Sequence, residues 1–369
     1  MADVAQRVVL VLGTSAGGVG RHVRMLAEGL TGEGFQVVVA GPASTDEAFG
    51  FSGTARFAEV AISDRPRPVS DLRAVARLRT LVAGADVVHA HGLRAGAITA
   101  LALTGRRTGL VVTLHNALTA KGVIGMIYRV LEGVVARKAD QVLVVAPDLG
   151  ERMTARGARS VAPAVVPAPP LRPPRRTAAE VRAELESDGP AAAGRPIVLT
   201  IARLAQQKGL ETLLDAARGP YAADAGPLFV VAGEGPLRGE LQARIDEEGL
   251  PVRLLGDRTD IADLLQVAHA VVVASRWEGQ PLSVHEALRA GRPIISTAVG
   301  GIPAMVGDAA ILVPPGDAAA LRGEIARLLA DPALAGRLSA AAAARPLPDA
   351  QAALRAVREV YAALRRHGR

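Results

Sequence analysis

The sequence predicts an α/β protein made of two doubly wound domains in one chain. Short β-branched runs alternate with helical stretches from end to end, the pattern of parallel sheets covered by helices on both faces. A proline-rich run over 162–176 interrupts that alternation near the middle, as a semi-rigid linker does. The 369 residues, half of them apolar, suffice for two cores of ordinary size. The expected organisation is a first Rossmann-like domain over 1–165, a linker over 166–176, a second Rossmann-like domain over 177–347, and a closing helix over 348–369.

The first strand is RVVLVL (7–12), followed by a glycine-rich turn from Gly13 to Gly20 and a helix with Val23, Leu26 and Leu30 on one face. Gly17 and Gly18 lack side chains, so a ligand can approach the backbone, and the helix start offers unpaired N–H groups to a phosphate. The turn is neither G-x-G-x-x-G nor a P-loop, which disfavours a nicotinamide oxidoreductase. Further strands are expected near 36–40, 86–90 and 110–114, with His89, His91 and His115 at strand ends. Residues 121–138 form a helix with an apolar stripe of Ile124, Ile127, Val130, Leu131 and Val134, and basic residues, Lys121 among them, at both ends. The expectation is a core-facing helix; the alternative is a peripheral membrane contact.

In the second half, Thr177-x-x-Glu180 opens a helix. Pro196 to Ile201 is a strand, and Arg203 and Lys208 follow it. Another strand and a Gly-flanked loop around Glu234 come next. Val271 to Val273 is a buried strand ending in a polar loop, Ser275 to Gln280. A helix from about Pro281 to Ala290 stops at Gly291, and Ile294-Ile295 starts the next strand. Such a loop lies at the carboxyl end of a parallel strand, where open sheets bind ligands. Glu278 and Glu286 stand eight residues apart across it. Ser283-x-x-Glu286 also has capping-box spacing, so Glu286 has a purely local reading as well.

Composition narrows the function classes. Aromatics are 2% of residues, too few for a base-stacking platform, so no nucleic-acid partner is expected. Cysteine is absent, which removes disulfides, thiol catalysis and Cys-based metal sites. No D-x-D occurs, so nothing in the pattern suggests a metal-held diphosphate. No apolar run approaches the length of a membrane span, and the expectation is a cytoplasmic protein, peripheral at the inner membrane face if it touches a membrane. Net charge is +7. Residues 1–160 carry 19 Lys and Arg against 13 Asp and Glu, a net +6. That excess suits an anionic acceptor or an anionic membrane surface, and an Arg-rich solvated surface accounts for it equally.

The segment E-G-x-P-L-S-x-x-E at 278–286 resembles the Glu-x7-Glu signature of family 4 glycosyltransferases, retaining enzymes of the two-domain GT-B fold. Arg203-x4-Lys208 resembles that family's cation pair for the donor diphosphate, and Thr113-Leu114-His115-Asn116 resembles the segment whose His faces the donor sugar. The resemblance covers nearly the whole chain and implies two domains facing each other across a cleft that holds the donor. It implies Arg203 and Lys208 on the diphosphate, Glu286 on the ribose, and Glu278 with the Gly279, Gln280, Pro281 and Leu282 backbone on the sugar hydroxyls. It further implies His115 across the cleft, Gly17 and Gly18 near phosphate, nucleobase contacts near Gly256 to Asp260, and His89 and His91 on the acceptor side. No cofactor or metal is implied. The partners implied are a nucleoside diphosphate sugar and a hydroxyl acceptor, whether glycan, glycolipid or small molecule; a cell-envelope or polysaccharide precursor fits the family habit. A last helix carrying Leu354, Val357, Tyr361 and Leu364 on one face is expected to pack on the first domain. The alternatives are a GT-B nucleotide-sugar 2-epimerase and a non-catalytic subunit of the same fold. Departures from the pattern are Val166-Pro167-Ala168-Pro169 where V-P-N-G is usual, Ala304 after G-G-I-P, and His269 and Ala274 before the Glu loop.

Overall fold

The structure, a computed structural model, describes residues 6–15, 17–117, 122–167, 170–187, 194–221 and 226–367. Lys121 and the linker residues Ala168 and Pro169 lie outside them. The chain divides into two compact units, Met1–Pro167 with Pro348–Arg369, and Ala168–Leu347.

In the first unit, seven strands are β1 (Arg7–Leu12), β2 (Gln36–Gly41), β3 (Arg56–Glu59), β4 (Val87–His91), β5 (Gly109–Leu114), β6 (Gln141–Val144) and β7 (Val161–Pro163). They pair in parallel in the order β3-β2-β1-β4-β5-β6-β7. The order reverses between β1 and β4, the switch point at which such sheets open a crevice for ligand. Both faces of the central strands are covered by helices, which is why β1 reads as an apolar run from Val8 to Leu12 rather than an alternating one. These helices are α1 (Gly18–Gly32), α2 (Ala43–Phe49), α3 (Pro68–Leu81), α4 (Leu93–Ala102), α5 (Gly122–Lys138) and α6 (Pro147–Ala155).

The second unit repeats the scheme with β8 (Ile197–Ile201), β9 (Leu228–Ala232), β10 (Val252–Gly256), β11 (Ala270–Val273), β12 (Ile294–Thr297) and β13 (Ala310–Val313). The order is β10-β9-β8-β11-β12-β13, again all parallel, with its switch point between β8 and β11. Its helices are α7 (Ala178–Glu186), α8 (Leu210–Ala217), α9 (Arg238–Glu248), α10 (Ile261–Val267), α11 (Leu282–Arg289), α12 (Ile302–Val306), α13 (Ala318–Ala330) and α14 (Pro332–Ala344). Successive strand residues feed opposite cores. Val198 and Val272 join α8 and α13 on one face, while Leu199 and Val271 join α7 and α10 on the other. Thr177 and Glu180 form a reciprocal capping box at the start of α7.

The last helix, α15 (Ala350–His367), belongs to the first unit. Leu354, Val357 and Tyr361 are buried there. A Cβ at Gly29 of α1 would lie 2.2 Å from Leu354 Cδ1, so the glycine is what lets the two helices approach. Arg358 pairs with Glu33 across the same contact at 3.1 Å.

Two expectations are corrected. In α5 most of the apolar stripe does not face the core: Ile124, Ile127 and Val130 are exposed, Leu131 and Val134 are half-buried, and the buried side includes Gly125, Glu132, Gly133, Val135 and Ala136. Glu132 sets that orientation, because its carboxylate is held inside by Arg152 of α6 at 2.9 Å and by Arg156, the C-cap of α6, at 2.7 Å. The capping-box reading of Ser283 fails because α11 starts at Leu282 with Pro281 as its N-cap. Ser283 is therefore already inside the first turn, and no side chain caps the helix.

Candidate active site

The site of the second unit is built at its switch point, from the loops that leave β8 and β11. Arg203 follows β8 directly; it is exposed, and its side chain has no partner among the described residues. Lys208 ends a short turn before α8. Gly209, at φ 59°, passes so close to β11 that a Cβ there would lie 2.2 Å from the Ala274 carbonyl oxygen. The left-handed conformation and the close approach both require glycine, and together they press Lys208 toward the β11 loop.

That loop is tied down on each side. Arg276 N donates to the Gln207 carbonyl at 2.8 Å, and Gln207 Nε2 donates to the Trp277 carbonyl at 2.9 Å. On the other side, Thr297 Oγ1 at the end of β12 donates to the Ser275 carbonyl at 2.6 Å. Gly301 N donates to the Glu278 carbonyl at 3.0 Å. Gly300, at φ 52°, leaves room for that carbonyl, which an added Cβ would approach to 1.9 Å.

Held in this way, Glu278 is 6% exposed. Its Oε1 accepts from Lys208 Nζ at 2.5 Å and from Ser275 Oγ at 2.7 Å. The structure therefore joins Lys208 and Glu278, residues the sequence assigned to different parts of a donor. It also adds Ser275, which sequence reasoning missed. Ser275 and Glu278 share the S-x-x-E spacing that drew attention to Ser283 and Glu286, so a signal was there at the other serine. Gly279 and Pro281 are buried; Gln280, Leu282 and Glu286 are half-buried, Glu286 one turn into α11. The first turn of α11 brings the positive end of a helix dipole to the same loop.

The Gly256 to Asp260 segment, expected to meet a nucleobase, begins at a left-handed Gly256 (φ 74°) whose carbonyl accepts from Gly233 N at 2.8 Å. It is then fixed by ion pairs. Asp260 Oδ2 takes Arg258 at 2.6 Å and Arg176 at 2.5 Å, and both arginines also reach Glu184. The two guanidinium groups hold the Glu184 carboxyl down to about 2. His269, one of the departures from the family pattern, has a structural role: its Nδ1 accepts from Ile197 N at 3.1 Å and fixes the start of β8.

In the first unit, four imidazoles gather at the carboxyl ends of β4 and β5. His91 Nδ1 lies 3.2 Å from His115 Nε2, and the His22 ring of α1 lies 5.6 Å from His91 and 5.7 Å from His115. His89, expected to shape the acceptor side, lies in the core beneath His91. It is fully buried and bonded on both nitrogens, to Tyr361 Oη at 2.8 Å and Thr113 Oγ1 at 2.7 Å. His22 was missed, although it lies on the core face of α1 one turn before Leu26. Burial lowers His22 to about 4, and burial with the neighbouring His22 lowers His89 to about 3. Burial, then the other imidazoles, lowers His91 and His115 well below the usual range. The cluster is neutral at pH 7, and His115 is half-buried at its edge. Among the described residues no group of three or more His, Asp or Glu is arranged to hold a metal ion. A Cβ on Gly17 or Gly18 would touch nothing within 4 Å, so packing within the unit does not require glycine at either position.

The second unit's site brings together two cations, a helix start, and a carboxylate with one oxygen already taken. Residues 17–169 match the family described as glycosyl transferase 4-like domain, and residues 195–331 match glycosyl transferases group 1. The chain belongs to the family 4-type glycosyltransferases of GT-B fold.

Three similar proteins place this glycosyltransferase further. The alpha-D-kanosaminyltransferase of Streptomyces kanamyceticus is 32% identical over 178 residues, covering 47% of this chain and 46% of that protein. This glycosyltransferase thus matches about half the length of that relative. The glycogen synthase of Mycobacterium tuberculosis is 28% identical over 95% of this chain and 92% of its own. Among solved structures, Anabaena HepE in complex with UDP superposes with a TM-score of 0.77 at 19% identity, over 97% of this chain and 100% of that one. That last likeness establishes a shared fold.

Proposed function

We propose that this protein is a retaining hexosyltransferase that moves a sugar from a nucleoside diphosphate donor to a hydroxyl acceptor. The observation that carries the reading is the group Arg203, Lys208 and Glu278 at the switch point of the second unit. Lys208 has three N–H donors and gives one to Glu278, leaving the others for a diphosphate. Arg203 adds a free planar fork suited to phosphate. Glu278 keeps Oε2 as an acceptor for sugar hydroxyls, and Glu286 on α11 takes the ribose. Charge-assisted contacts of this kind contribute about 1.5–3 kcal/mol each.

In the transfer, the bond from the anomeric carbon to the diphosphate oxygen breaks, and the acceptor oxygen bonds the same carbon on the same face. The acceptor proton passes to the departing phosphate. Arg203 and Lys208 meet the negative charge that grows there, which is where fixed cations lower a barrier. The reading calls for no metal or cofactor. In the first unit, Gly17 and Gly18 leave space for phosphate oxygens, and neutral His115 suits a sugar hydroxyl.

Steady-state transfer or donor hydrolysis, assayed with a chelator present, tests this. Lys208→Ala and Glu286→Ala are each expected to lower turnover at least about tenfold, some 1.4 kcal/mol of barrier. Near-wild-type rates for both variants would overturn the assignment, and isomerisation of the donor without acceptor would replace transfer by epimerisation.

A further inference from the structure

Among the described residues, an apolar row on α5 is left uncovered. Ile124, Met126, Ile127 and Val130 are 46, 55, 37 and 65% exposed. At about 100° per residue, Met126, Val130 and Arg137 fall in line along the helix, with Ile127 beside them. Beyond Val130 the same surface becomes basic. Arg129 and Arg137 of α5 and Arg156, the C-cap of α6, line a cavity of about 370 Å³ together with Gly133 and Val134. Arg156 is paired with Glu132. Among the described residues, Arg129 and Arg137 reach only carbonyls of their own helix, Gly125 at 3.4 Å and Gly133 at 3.3 Å, and neither is paired with a carboxylate there.

An aliphatic row continuous with such arginines asks for a partner that is anionic at one level and hydrocarbon just below it. We propose that this face of α5 lies on an anionic phospholipid bilayer, with Met126, Ile127 and Val130 in the headgroup–acyl boundary and the arginine cavity around a lipid phosphate. Amphipathic helices of this kind bind in the interface plane, and anionic lipid adds to the apolar term. The charge argues against a second copy of the chain, because a two-fold contact would bring equal arginine rims together. No helix among the described residues is long and apolar enough to cross a membrane, so the contact is one of lying on the surface. The inference stands on α5 and α6 alone and is independent of the donor reading.

Sedimentation of the full chain with vesicles tests it. The protein is expected to pellet with vesicles containing phosphatidylglycerol and stay in solution with phosphatidylcholine alone, and the binding is expected to weaken as salt rises. Arg129→Gln with Arg137→Gln, and separately Val130→Asp, are each expected to lower partitioning at least about tenfold with an unchanged melting temperature. All three residues are at the surface, so the variants keep the fold. Equal pelleting with both vesicle types, no effect of either variant, or a response to inorganic phosphate without vesicle binding would overturn the proposal. Loss of a concentration-dependent dimer in Val130→Asp, with no vesicle binding by the parent, would do the same in favour of a second copy.

Discussion

Lys208 is fixed by Glu278, and Glu278 by Lys208 and Ser275 together. Arg203, at the neighbouring strand end, has no side-chain partner among the described residues. The two cations are therefore expected to separate in experiment. Arg203→Ala is expected to lower turnover while leaving the melting temperature within error, since it removes no contact. Lys208→Ala is expected to lower both, because a carboxylate that is 6% exposed loses its counter-charge. The loss of stability from breaking such a pair is about 3–5 kcal/mol when fully buried, and less here because the lysine side chain is 23% exposed. Equal stability of the two variants, read by calorimetry, would contradict the pairing. Gly300 makes a second residue-scale case. Gly300→Ala strains a left-handed backbone and drives a methyl into the Glu278 carbonyl, with an expected cost of about 1–3 kcal/mol. A neutral effect in denaturant unfolding would show that the loop adjusts freely.

At the scale of elements, strands were easily read, and helix faces less so. β1 and β11 are buried on both sides, so their apolar runs announce themselves. The stripe on α5 pointed the wrong way because the periodicity of a helix says which residues share a face, not which face meets the protein. Burial of Glu132 with two arginines from α6 decided it, and no local pattern encodes that pairing. The histidines show the same limit. Their positions at the ends of β4 and β5 were legible, whereas the bond from His89 to Tyr361 spans most of the sequence. Their burial has a consequence in pH. His22 and His89 titrate in the fold near 4 and 3, below the ordinary 6.5. As pH falls below about 6.5, the unfolded chain takes up protons that the folded chain does not, so stability is lost toward pH 4. The paired carboxylates respond later: Glu184, lowered to about 2 from 4.5, keeps its contribution until the pH falls below about 4.5. Melting of the first unit is therefore expected to drop between pH 7 and 5, before the second unit's ion pairs are affected. A melting temperature that is flat over that interval would rule out the neutral cluster.

For the whole molecule, two sheets with the same strand order place a ligand crevice at one switch point in each unit. Arg203, Lys208, Glu278 and Glu286 stand out in the sequence through the R-x4-K and Glu-x7-Glu patterns, and the proposed diphosphate and polyol would need such groups at those loops. Ser275, Thr297 and Gly300 escaped notice because their part is to hold the Glu278 loop, a relation set by β12 rather than by spacing. The central claim is a nucleoside diphosphate site in the second unit, and nucleotide-dependent thermal stabilisation of the full chain tests it most directly. Wild type, Arg203→Ala and Lys208→Ala would be melted with UDP, GDP, ADP and dTDP, each with and without its common sugars. One nucleotide at about a hundred times its dissociation constant is expected to stabilise wild type by about 2.7 kcal/mol, with a much smaller shift in both variants. No shift with any of them, or an equal shift in all three proteins, would contradict the site.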